Sequence, residues 1–376
     1  MSAAARVLVT GGAGFIGSHL VDALIARGYR VRVLDKLVPQ VHAEPVPRFL
    51  NPEAEFLNGE LSDLDLLDRA LEDVEGVFHQ AAEVGVGQSM YEVARYVGAN
   101  TMATAVLWQK LVERTKKSRI RKLVVASSMS IYGEGAYRCP QHGPVSPAVR
   151  PVEQLARHEW DLRCPACAER LIPLPTPETK PLYPTSVYAL TKYDQEQLCL
   201  LLGRAYGIPV VALRYFNTYG TRQALSNPYT GVCAIFSSRL LNHQSPVIFE
   251  DGEQTRDFVH VSDIVQANLA AYEGSGADYR AVNVGTGIAT SVRDVARLLA
   301  EGLGRRDSLQ IVAKYREGDI RHCVADITLA RELLDFEPKL ALADGIPQLL
   351  EWVAAESAAD RIQQATDELQ ERALIR

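Results

Sequence analysis

A glycine-rich turn between an apolar strand and a helix is the feature that most constrains how this chain can fold. The stretch from Val7 to Thr10 has the character of a buried strand, and Gly11, Gly14 and Gly17 follow it before a helical stretch begins. Glycine is needed there because the backbone turns tightly and comes close to a pyrophosphate, which lies at the helix N-terminus. The pattern predicts a strand–turn–helix unit that binds a dinucleotide.

The first half of the chain repeats this alternation of short apolar runs and helical stretches. Further strands are predicted at Arg30 to Leu34, Glu55 to Leu57, Gly76 to His79 and Lys122 to Ala126, and helices at Ser18 to Arg27, Asp63 to Leu71 and Asn100 to Arg114. The alternation predicts an α/β fold with a doubly wound parallel sheet, the Rossmann fold, with helices on both faces. We expect residues 1–210 to form most of this dinucleotide-binding domain.

The second half is less regular. Two more strands are predicted at Val210 to Arg214 and Arg280 to Val284, and two helices at Val292 to Leu303 and Ile327 to Leu334. A chain of 376 residues is long enough for more than one domain. We expect residues 211–352 to form mainly a smaller, substrate-binding domain, with some strands returning to the sheet, and residues 353–376 to form a helical tail.

Composition excludes several classes of function. The formal net charge of −6 gives no reason to expect nucleic-acid binding, which usually needs a basic face. No apolar run approaches the length of a membrane span, and the N-terminus runs straight into the glycine turn, unlike a signal peptide. Six cysteines in a chain of this length do not suggest a disulfide scaffold. We therefore expect a cytoplasmic protein without a membrane or nucleic-acid partner.

Two further features point to redox chemistry with a nicotinamide cofactor. Asp35 ends the second predicted strand, where a carboxylate accepts hydrogen bonds from ribose hydroxyls and repels a 2′-phosphate, which favours NAD over NADP, although the cationic Lys36 follows it. Tyr188 and Lys192 are four residues apart after a proline-marked helix start, so they share a helix face. Such a pair also occurs by chance, but Ser127 and Ser128 directly follow the predicted strand Lys122 to Ala126, and strand ends at this edge of the sheet point into the ligand crevice.

Together these motifs resemble the NAD-dependent epimerase/dehydratase family of extended short-chain dehydrogenases/reductases, and within it the nucleotide-sugar 4-epimerases. The resemblance covers about residues 5 to 352. It is carried by the glycine turn, the Tyr188/Lys192 pair and the segments 127–133, 213–217, 256–261, 318–319 and 325–326.

The resemblance assigns roles to individual residues. It implies Ser128, Tyr188 and Lys192 as the catalytic residues, with Tyr188 as the acid/base and Lys192 lowering the pKa of that phenol. With Tyr188 and Lys192, the implied NAD-binding residues are Gly11, Gly14, Phe15, Ile16, Gly17, Asp35, Lys36, Glu60, Leu61, Gln80, Ala81, Ala82, Asn100 and Tyr215. With Ser128, the implied substrate-binding residues are Ser130, Asn217, Arg256, Arg316, Asp319 and Cys323, and Arg321 is a further candidate.

Departures from the family pattern narrow the function. Dehydratases of the family carry an Asp-Glu pair after the catalytic hydroxyl residue, and Met129 and Ser130 stand there in this chain. The resemblance therefore implies a 4-epimerase acting on a nucleotide-diphosphate sugar, with dTDP-L-rhamnose as the substrate by analogy and a roomier pocket at Cys323. A ketoreductase or dehydrogenase that releases NADH, and an idle NAD-binding regulator, are the alternatives. The family implies a homodimer through helices at about 100–115 and 187–206.

A proline-rich insertion interrupts the pattern at about 134–180. Ten of the nineteen prolines lie between Cys139 and Pro184, which predicts an irregular segment. Cys139 with His142 and Cys164 with Cys167 form two C-x₂-H and C-x₂-C pairs, which suit a tetrahedral, structural zinc ion. The alternatives are an incidental Cys139 and His142, or a redox-active pair at Cys164 and Cys167.

Overall fold

A parallel sheet of seven strands lies at the centre of the computed structural model, which describes residues 4–42, 47–114, 120–305, 309–316, 318–356 and 359–375. The strands are β1 Arg6–Thr10, β2 Arg30–Asp35, β3 Glu55–Asn58, β4 Gly76–His79, β5 Lys122–Ser128, β9 Val210–Tyr215 and β14 Arg280–Val284. Their order is β14-β9-β5-β4-β1-β2-β3, and every neighbouring pair is parallel. The predicted α/β class and its large parallel sheet are confirmed.

Helices cover both faces of this sheet. Those of the first half and the insertion are α1 Phe15–Ala26, α2 Leu64–Ala70, α3 Val86–Ser89, α4 Val93–Tyr96, α5 Ala103–Glu113, α6 Val152–Ala156 and α7 Val187–Tyr206. In β1, Val7 and Val9 pack against α1 on one face, and Leu8 packs on the other face with α2, α5 and α7. Alternate residues of a strand point to opposite faces, so a strand buried on both sides is apolar throughout.

Within its described residues, the second half adds three small sheets and six helices. The strands are β10 Asn217–Tyr219, β11 Val247–Phe249, β12 Thr255–Arg256, β13 Phe258–His260, β15 Thr290–Ser291, β16 Gln310–Val312 and β17 His322–Cys323. The helices are α8 Val232–Leu241, α9 Val261–Glu273, α10 Val292–Gly302, α11 Thr328–Leu334, α12 Leu342–Ala354 and α13 Ile362–Glu371. Helices α8, α10 and α12 share a separate apolar core, whereas α9 and α11 pack on the large sheet. Across the described residues, no helix is both long and apolar enough to cross a membrane.

The insertion is more regular than its prolines predict. Strands β6 Ala136–Cys139, β7 Gly143–Val145 and β8 Ile172–Leu174 form an antiparallel sheet in the order β7-β6-β8. The expectation of a wholly irregular segment was therefore wrong. Pro144 and Pro173 lie in the two edge strands, where a missing N–H group is tolerated, and the central strand contains no proline.

A buried ion pair joins the central sheet to α7. Arg214 in β9 donates two hydrogen bonds to Glu196, at 2.9 and 2.6 Å, and the Glu196 side chain has no solvent exposure. Arg214 also donates to the Tyr132 hydroxyl at 2.7 Å and to the carbonyl of Glu178. Because buried charges are tolerated only when they are well hydrogen-bonded, each member of this pair depends on the other.

We expect Arg214→Met to lower the free energy of unfolding by about 3–5 kcal/mol, because it leaves the Glu196 carboxylate buried without its partner. Urea unfolding followed by circular dichroism measures the loss. The matched control is Arg27→Met, which breaks the exposed Arg27–Glu273 pair and costs less than about 1 kcal/mol. Equal, small losses in both variants would contradict the dependence of the fold on this pair.

Candidate active site

A cavity of about 700 Å³ opens at the carboxyl edge of the large sheet. It brings together most of the residues that the sequence marks as functional. They are Gly11, Gly14, Phe15, Ile16, Gly17, Asp35, Lys36, Glu60, Leu61, Gln80, Ala81, Ala82, Ser128, Ser130, Tyr188, Lys192, Tyr215 and Asn217. In an open parallel sheet this edge is the place where ligands bind.

The glycine turn is shaped for close approach of a ligand. Gly11 has a φ of +69°, in the left-handed region that favours glycine. A Cβ atom at Gly17 would lie 2.2 Å from the carbonyl oxygen of Gly11, so no larger residue fits. The turn therefore exposes the N-terminus of α1 to the cavity, the arrangement that holds a pyrophosphate.

Asp35 is held at the end of β2 beside this turn. Its carboxylate accepts hydrogen bonds from the backbone N–H groups of Ala13 at 3.1 Å and Leu37 at 3.0 Å. The neighbouring Lys36 ammonium lies 3.1 Å from a carboxylate oxygen of the buried Glu83. The positive charge of Lys36 is thus balanced by Glu83. It therefore no longer argues for the 2′-phosphate of NADP over NAD.

Ser128 and Tyr188 meet at the centre of the cavity. Ser128 is the last residue of β5, and its Oγ accepts hydrogen bonds from the N–H group and the hydroxyl of Ser130. Tyr188 lies in the first turn of α7, which is capped by Ser186. Burial raises the pKa of the Tyr188 phenol, and its hydrogen bond with Ser128 opposes that rise.

Lys192 lies one helical turn after Tyr188 and is 3 % exposed. Burial lowers the pKa of its ammonium to about 7. Its Nζ donates to Gln195 at 2.8 Å, and the Gln195 amide lies 3.2 Å from His79. Burial and the charge of Lys192 lower the pKa of His79 to about 3, so this histidine is neutral. The Tyr188 phenol and the Lys192 ammonium, whose pKa is near neutrality, lie on one helix face beside the Ser128 hydroxyl. Such a set of groups can move a proton to and from an alcohol.

Asn100 lies behind the wall of the main cavity rather than in it. Its side chain is fully buried and donates to the Glu83 carbonyl at 3.1 Å and to the Thr191 hydroxyl at 2.9 Å. It also accepts from the Glu83 N–H group at 2.7 Å. Asn100 therefore holds in place the segment at Glu83, which lines the main cavity. Its side-chain hydrogen bonds go to protein groups, rather than to the cofactor as the resemblance predicts.

A second, smaller cavity of about 160 Å³ contains Arg256, Arg316 and Asp319. Val232 lines both cavities, so the two adjoin. Arg316 donates from Nε to the Asp319 carboxylate at 2.9 Å, and Arg256 donates to the carbonyl of Ile320 at 2.7 Å. Arg256 also donates to the carbonyls of Thr255 at 2.9 Å and Arg321 at 3.1 Å. Protein acceptors thus orient both guanidinium groups, and only their remaining N–H groups are available to an anion.

Two predicted substrate-binding residues have other surroundings. The Cys323 thiol belongs to the apolar core and lies 3.9 Å from the Thr176 hydroxyl, outside the linings of both described cavities. Arg321 is 2 % exposed, and its guanidinium donates to the carboxylates of Asp161, Glu250 and Asp251. Neither residue is placed to touch the sugar or its phosphates, because both are enclosed by protein groups.

The structure adds lining residues that the sequence did not single out. Gln223 is one of them: its Oε1, like the Oδ1 of the predicted Asn217, is a buried side-chain oxygen in the main cavity without a hydrogen-bond partner among the described residues. Buried acceptors of this kind are usually satisfied by a ligand or by water. No local pattern marks Gln223 or the nearby lining residue Tyr229, because their roles come from how distant loops meet.

Cys139, His142, Cys164 and Cys167 converge in the insertion, with their ligand atoms all within 4.8 Å of one another. Cys139 Sγ lies 3.4 Å from His142 Nδ1 and 3.6 Å from Cys167 Sγ, and Cys164 Sγ lies 3.6 Å from His142 Nδ1. A tetrahedral zinc with bonds of roughly 2.0–2.3 Å spaces its ligands roughly 3.3–3.8 Å apart. The donor set and the spacing therefore fit one such ion.

Comparison with known proteins places this architecture. The chain is 35% identical over 354 residues to a dTDP-L-rhamnose 4-epimerase from Burkholderia thailandensis, which covers 93% of this chain and 95% of the relative. It is 36% identical over 349 residues to a putative UDP-glucose 4-epimerase from Methanocaldococcus jannaschii, covering 92% of this chain and 98% of the relative.

Among solved structures, a UDP-glucose 4-epimerase from Thermotoga maritima with UDP-glucose matches at a TM-score of 0.74 and 33% identity, over 93% of this chain and 99% of that chain. A UDP-glucuronic acid 4-epimerase from Bacillus cereus, in complex with UDP-glucuronic acid and NAD, matches at a TM-score of 0.74 and 28% identity with the same coverage. The model of the NAD dependent epimerase/dehydratase family matches residues 7–157 and 166–285. The chain therefore belongs to the NAD dependent epimerase/dehydratase family.

Proposed function

We propose that this protein epimerises a nucleotide-linked sugar at the 4-position through a transient keto-sugar. The observation that carries the proposal is the meeting of Ser128, Tyr188 and Lys192 in one cavity with the glycine turn. The adjoining cavity adds two arginines, which suit the oxygens of a diphosphate. A single site thus combines proton-transfer groups with places for a dinucleotide and a nucleotide sugar.

The residues of the main cavity fit NAD. The glycine turn leaves room for the pyrophosphate at the N-terminus of α1, and Asp35 keeps free lone pairs for ribose hydroxyls. Lys36, Glu60, Leu61, Gln80, Ala81, Ala82 and Tyr215 complete the proposed NAD-binding set, together with Phe15, Ile16, Tyr188 and Lys192. NAD held by these residues would supply the hydride acceptor and donor for the reaction at the 4-position.

The protein's own groups handle the proton. Tyr188 removes the proton of the sugar 4-hydroxyl, and Ser128 hydrogen-bonds the same sugar oxygen. Burial raises the pKa of the Tyr188 phenol. We assign Lys192, one helical turn away, the role of stabilising the phenolate, because a nearby cation favours the charged form of a phenol. The keto-sugar then rotates in the site, so that the hydride returns to its other face. Tyr188 gives the proton back to the 4-oxygen, and the product has the opposite configuration at the 4-position. Met129 and Ser130 offer no acid/base pair for removing water, so epimerisation is favoured over dehydration.

The second cavity supports a nucleoside diphosphate as the carrier. Arg256 and Arg316 supply N–H donors there, Asp319 orients Arg316, and Asn217 and Ser130 line the main cavity next to it. The relative from Burkholderia thailandensis makes dTDP-L-rhamnose the first substrate to test, and UDP-glucose the second. The rival function is a 4-ketoreductase or dehydrogenase, which releases NADH instead of retaining the cofactor.

We also propose that a structural zinc ion holds the insertion through Cys139, His142, Cys164 and Cys167. The insertion has only a small apolar cluster of its own, and two of its five buried members are Cys139 and Cys164. Ordering a chain costs on the order of 1 kcal/mol or more per residue, and a four-ligand zinc offsets that cost. With all four positions filled by protein, the ion has no open site for catalysis.

Two exposed helices support a homodimer. Leu190 and Leu201 on α7 are 48 % and 64 % exposed, and Met102, just before α5, is 58 % exposed. Apolar side chains clustered on neighbouring helices are typical of a subunit interface. We further infer a reducing, cytoplasmic compartment, because the six cysteines form no disulfide and three of them are proposed zinc ligands, which requires reduced thiols.

We expect Tyr188→Phe to lower turnover by about 100- to 10,000-fold, because it removes the acid/base while leaving the fold intact. Purified protein is incubated with dTDP-L-rhamnose or UDP-glucose without added NAD, and the products are identified by NMR. Wild type yields the 4-epimer. Tyr183→Phe, an exposed tyrosine five residues away, serves as the control and keeps full activity. Near-normal turnover in Tyr188→Phe, or release of NADH by wild type, would refute the proposal.

The protein stripped of dinucleotide should bind NAD at least about tenfold more tightly than NADP, because the Asp35 carboxylate repels a 2′-phosphate. Asp35→Asn narrows this preference, and Asp65→Asn, which alters an exposed acid on α2, leaves it unchanged. Fluorescence titration measures both affinities. Tighter binding of NADP by wild type would show that Asp35 does not select the cofactor.

Metal analysis should find about one zinc per chain in protein prepared without chelators. The double variant Cys164→Ser/Cys167→Ser loses the metal and becomes sensitive to proteases within residues 134–180, while NAD binding is largely kept. Cys233→Ala, which alters a buried cysteine in a different core, retains the zinc. A metal-free wild type, or a disulfide between Cys164 and Cys167, would overturn the zinc site.

A further inference from the structure

The C-terminal segment 359–375, here called the strap, runs across the surface where the two cavities adjoin. Its helix α13 begins at Ile362, and Ala365 and Leu369 on this helix are buried. The segment is anchored at its start by the Ala359 N–H group, which donates to Ser226, and by Asp360, which pairs with Arg239 at 3.2 Å. A terminal segment tied down this way is part of the folded structure rather than a loose end.

The middle of the strap contacts the main cavity through two tyrosines. The Glu368 carboxylate accepts hydrogen bonds from the Tyr91 hydroxyl at 2.8 Å and the Tyr229 hydroxyl at 3.0 Å, and the two hydroxyls are 2.7 Å apart. The pKa of Glu368 is lowered, chiefly by the bond from Tyr91, so the carboxylate is charged. Arg372 covers the Tyr91 ring at 4.3 Å. Tyr229 itself lines the main cavity.

Tyr229 lies three residues before Val232, which lines both cavities. A Cβ atom at Gly85 would lie 2.7 Å from the Tyr96 hydroxyl and 2.9 Å from the Tyr229 Cβ. The Tyr96 ring in turn meets the Tyr188 ring edge-on, with 6.5 Å between centroids. Gly85 and Tyr96 thus lie between Tyr229 and the proposed acid/base. Asp35, by contrast, is at the end of β2, three strands away from β5 and Ser128 in the sheet.

The far end of the strap reaches the second cavity. Ile375 is buried and forms an antiparallel backbone bridge with Arg316. Arg316 lines that cavity with Arg256 and Asp319. One short segment thus contacts the wall of the catalytic cavity at Tyr229 and the proposed diphosphate-binding arginine at its other end.

We propose that the strap supports one wall of the nucleotide-sugar site from behind, and that Glu368 is a positioning residue that fixes the lining residue Tyr229 against the sugar. The proposal rests on the proposed function, because it takes the ligand of both cavities to be a nucleotide-diphosphate sugar. The strap contacts the residues proposed to lie beside the sugar and the diphosphate. Within the described residues, its hydrogen bonds and ring contacts do not involve the glycine turn or Asp35, where the adenosine end of NAD is proposed to bind. Its removal is expected to weaken substrate binding while NAD binding is kept.

The test measures substrate binding directly in NAD-loaded protein, by calorimetry with dTDP-L-rhamnose and UDP-glucose. Glu368→Gln keeps the size of the side chain and removes its charge, and we expect it to weaken binding about tenfold. Deletion of residues 359–376 is expected to weaken it further. Glu371→Gln, the same charge change at an exposed position on the same helix, is the control and leaves the affinity unchanged.

A double-mutant cycle tests whether Glu368 acts through Tyr229. Tyr229→Phe removes the hydroxyl that Glu368 holds but keeps the ring in the cavity wall. If Glu368 acts through Tyr229, the effects of Tyr229→Phe and Glu368→Gln on KM are strongly non-additive, and kcat changes less than KM. Additive effects would overturn the positioning role of Glu368.

The remaining outcomes separate the strap from the proposed function. The proposal for the strap is wrong if Glu368→Gln and the deletion variant both bind substrate as tightly as wild type. It is also wrong if these variants lose as much affinity for NAD as for substrate. If wild type binds nucleotide sugars tightly but yields no 4-epimer, the proposed reaction fails and the binding comparison still decides the strap. If wild type binds neither sugar, both ideas are wrong.

Discussion

Parallel pairing of the strands is the constraint on which the whole site depends. Because all seven strands of the sheet run the same way, their carboxyl ends meet at one edge, and residues far apart in sequence become neighbours there. Asp35 ends β2, Ser128 ends β5, and Tyr215 ends β9 directly beside Ser128 in the register. A slip of one residue would exchange Ser128 with Ser127, which instead donates to the buried Glu196 at 2.6 Å. Strand register therefore decides which hydroxyl faces the substrate.

The insertion is joined to the substrate side of the molecule by buried charges rather than by an apolar core. Arg150 donates to Glu250 at 2.7 Å and to the carbonyl of Asp319 at 2.9 Å. Arg321 shares Glu250 and also holds Asp161 of the insertion. Groups buried this way are stable only while every partner is present. Loss of order in the insertion would therefore disturb Asp319, which lines the smaller cavity. These contacts would connect the proposed zinc ion to the proposed binding of a nucleotide.

Local patterns in the sequence were enough for much of the fold and for the centre of the site. The strands of the large sheet begin and end within two residues of their predicted bounds, because a strand buried on both faces must be apolar throughout. Tyr188 and Lys192, and the pair of cysteines at 164 and 167, were found from spacings of three and four residues, which one helical turn or one tight turn converts into neighbours. The prolines of the insertion misled because sequence alone does not reveal which strands lie at a sheet edge.

Local sequence patterns do not predict the role of a residue whose hydrogen-bond partners are far away in the sequence. Arg316 and Arg321 are five residues apart and look alike in sequence, yet Arg316 lines a cavity while Arg321 is enclosed by carboxylates. The partners of Arg321 come from segments 70 to 160 residues away, so its burial is a property of the assembled fold. Glu368 is the converse case: it lines neither cavity, and its proposed role arises because the hydroxyls of Tyr91 and Tyr229, from separate loops, converge on its carboxylate. A charged residue's function here follows from how many of its hydrogen bonds the protein itself completes, since only those left over are available to a ligand.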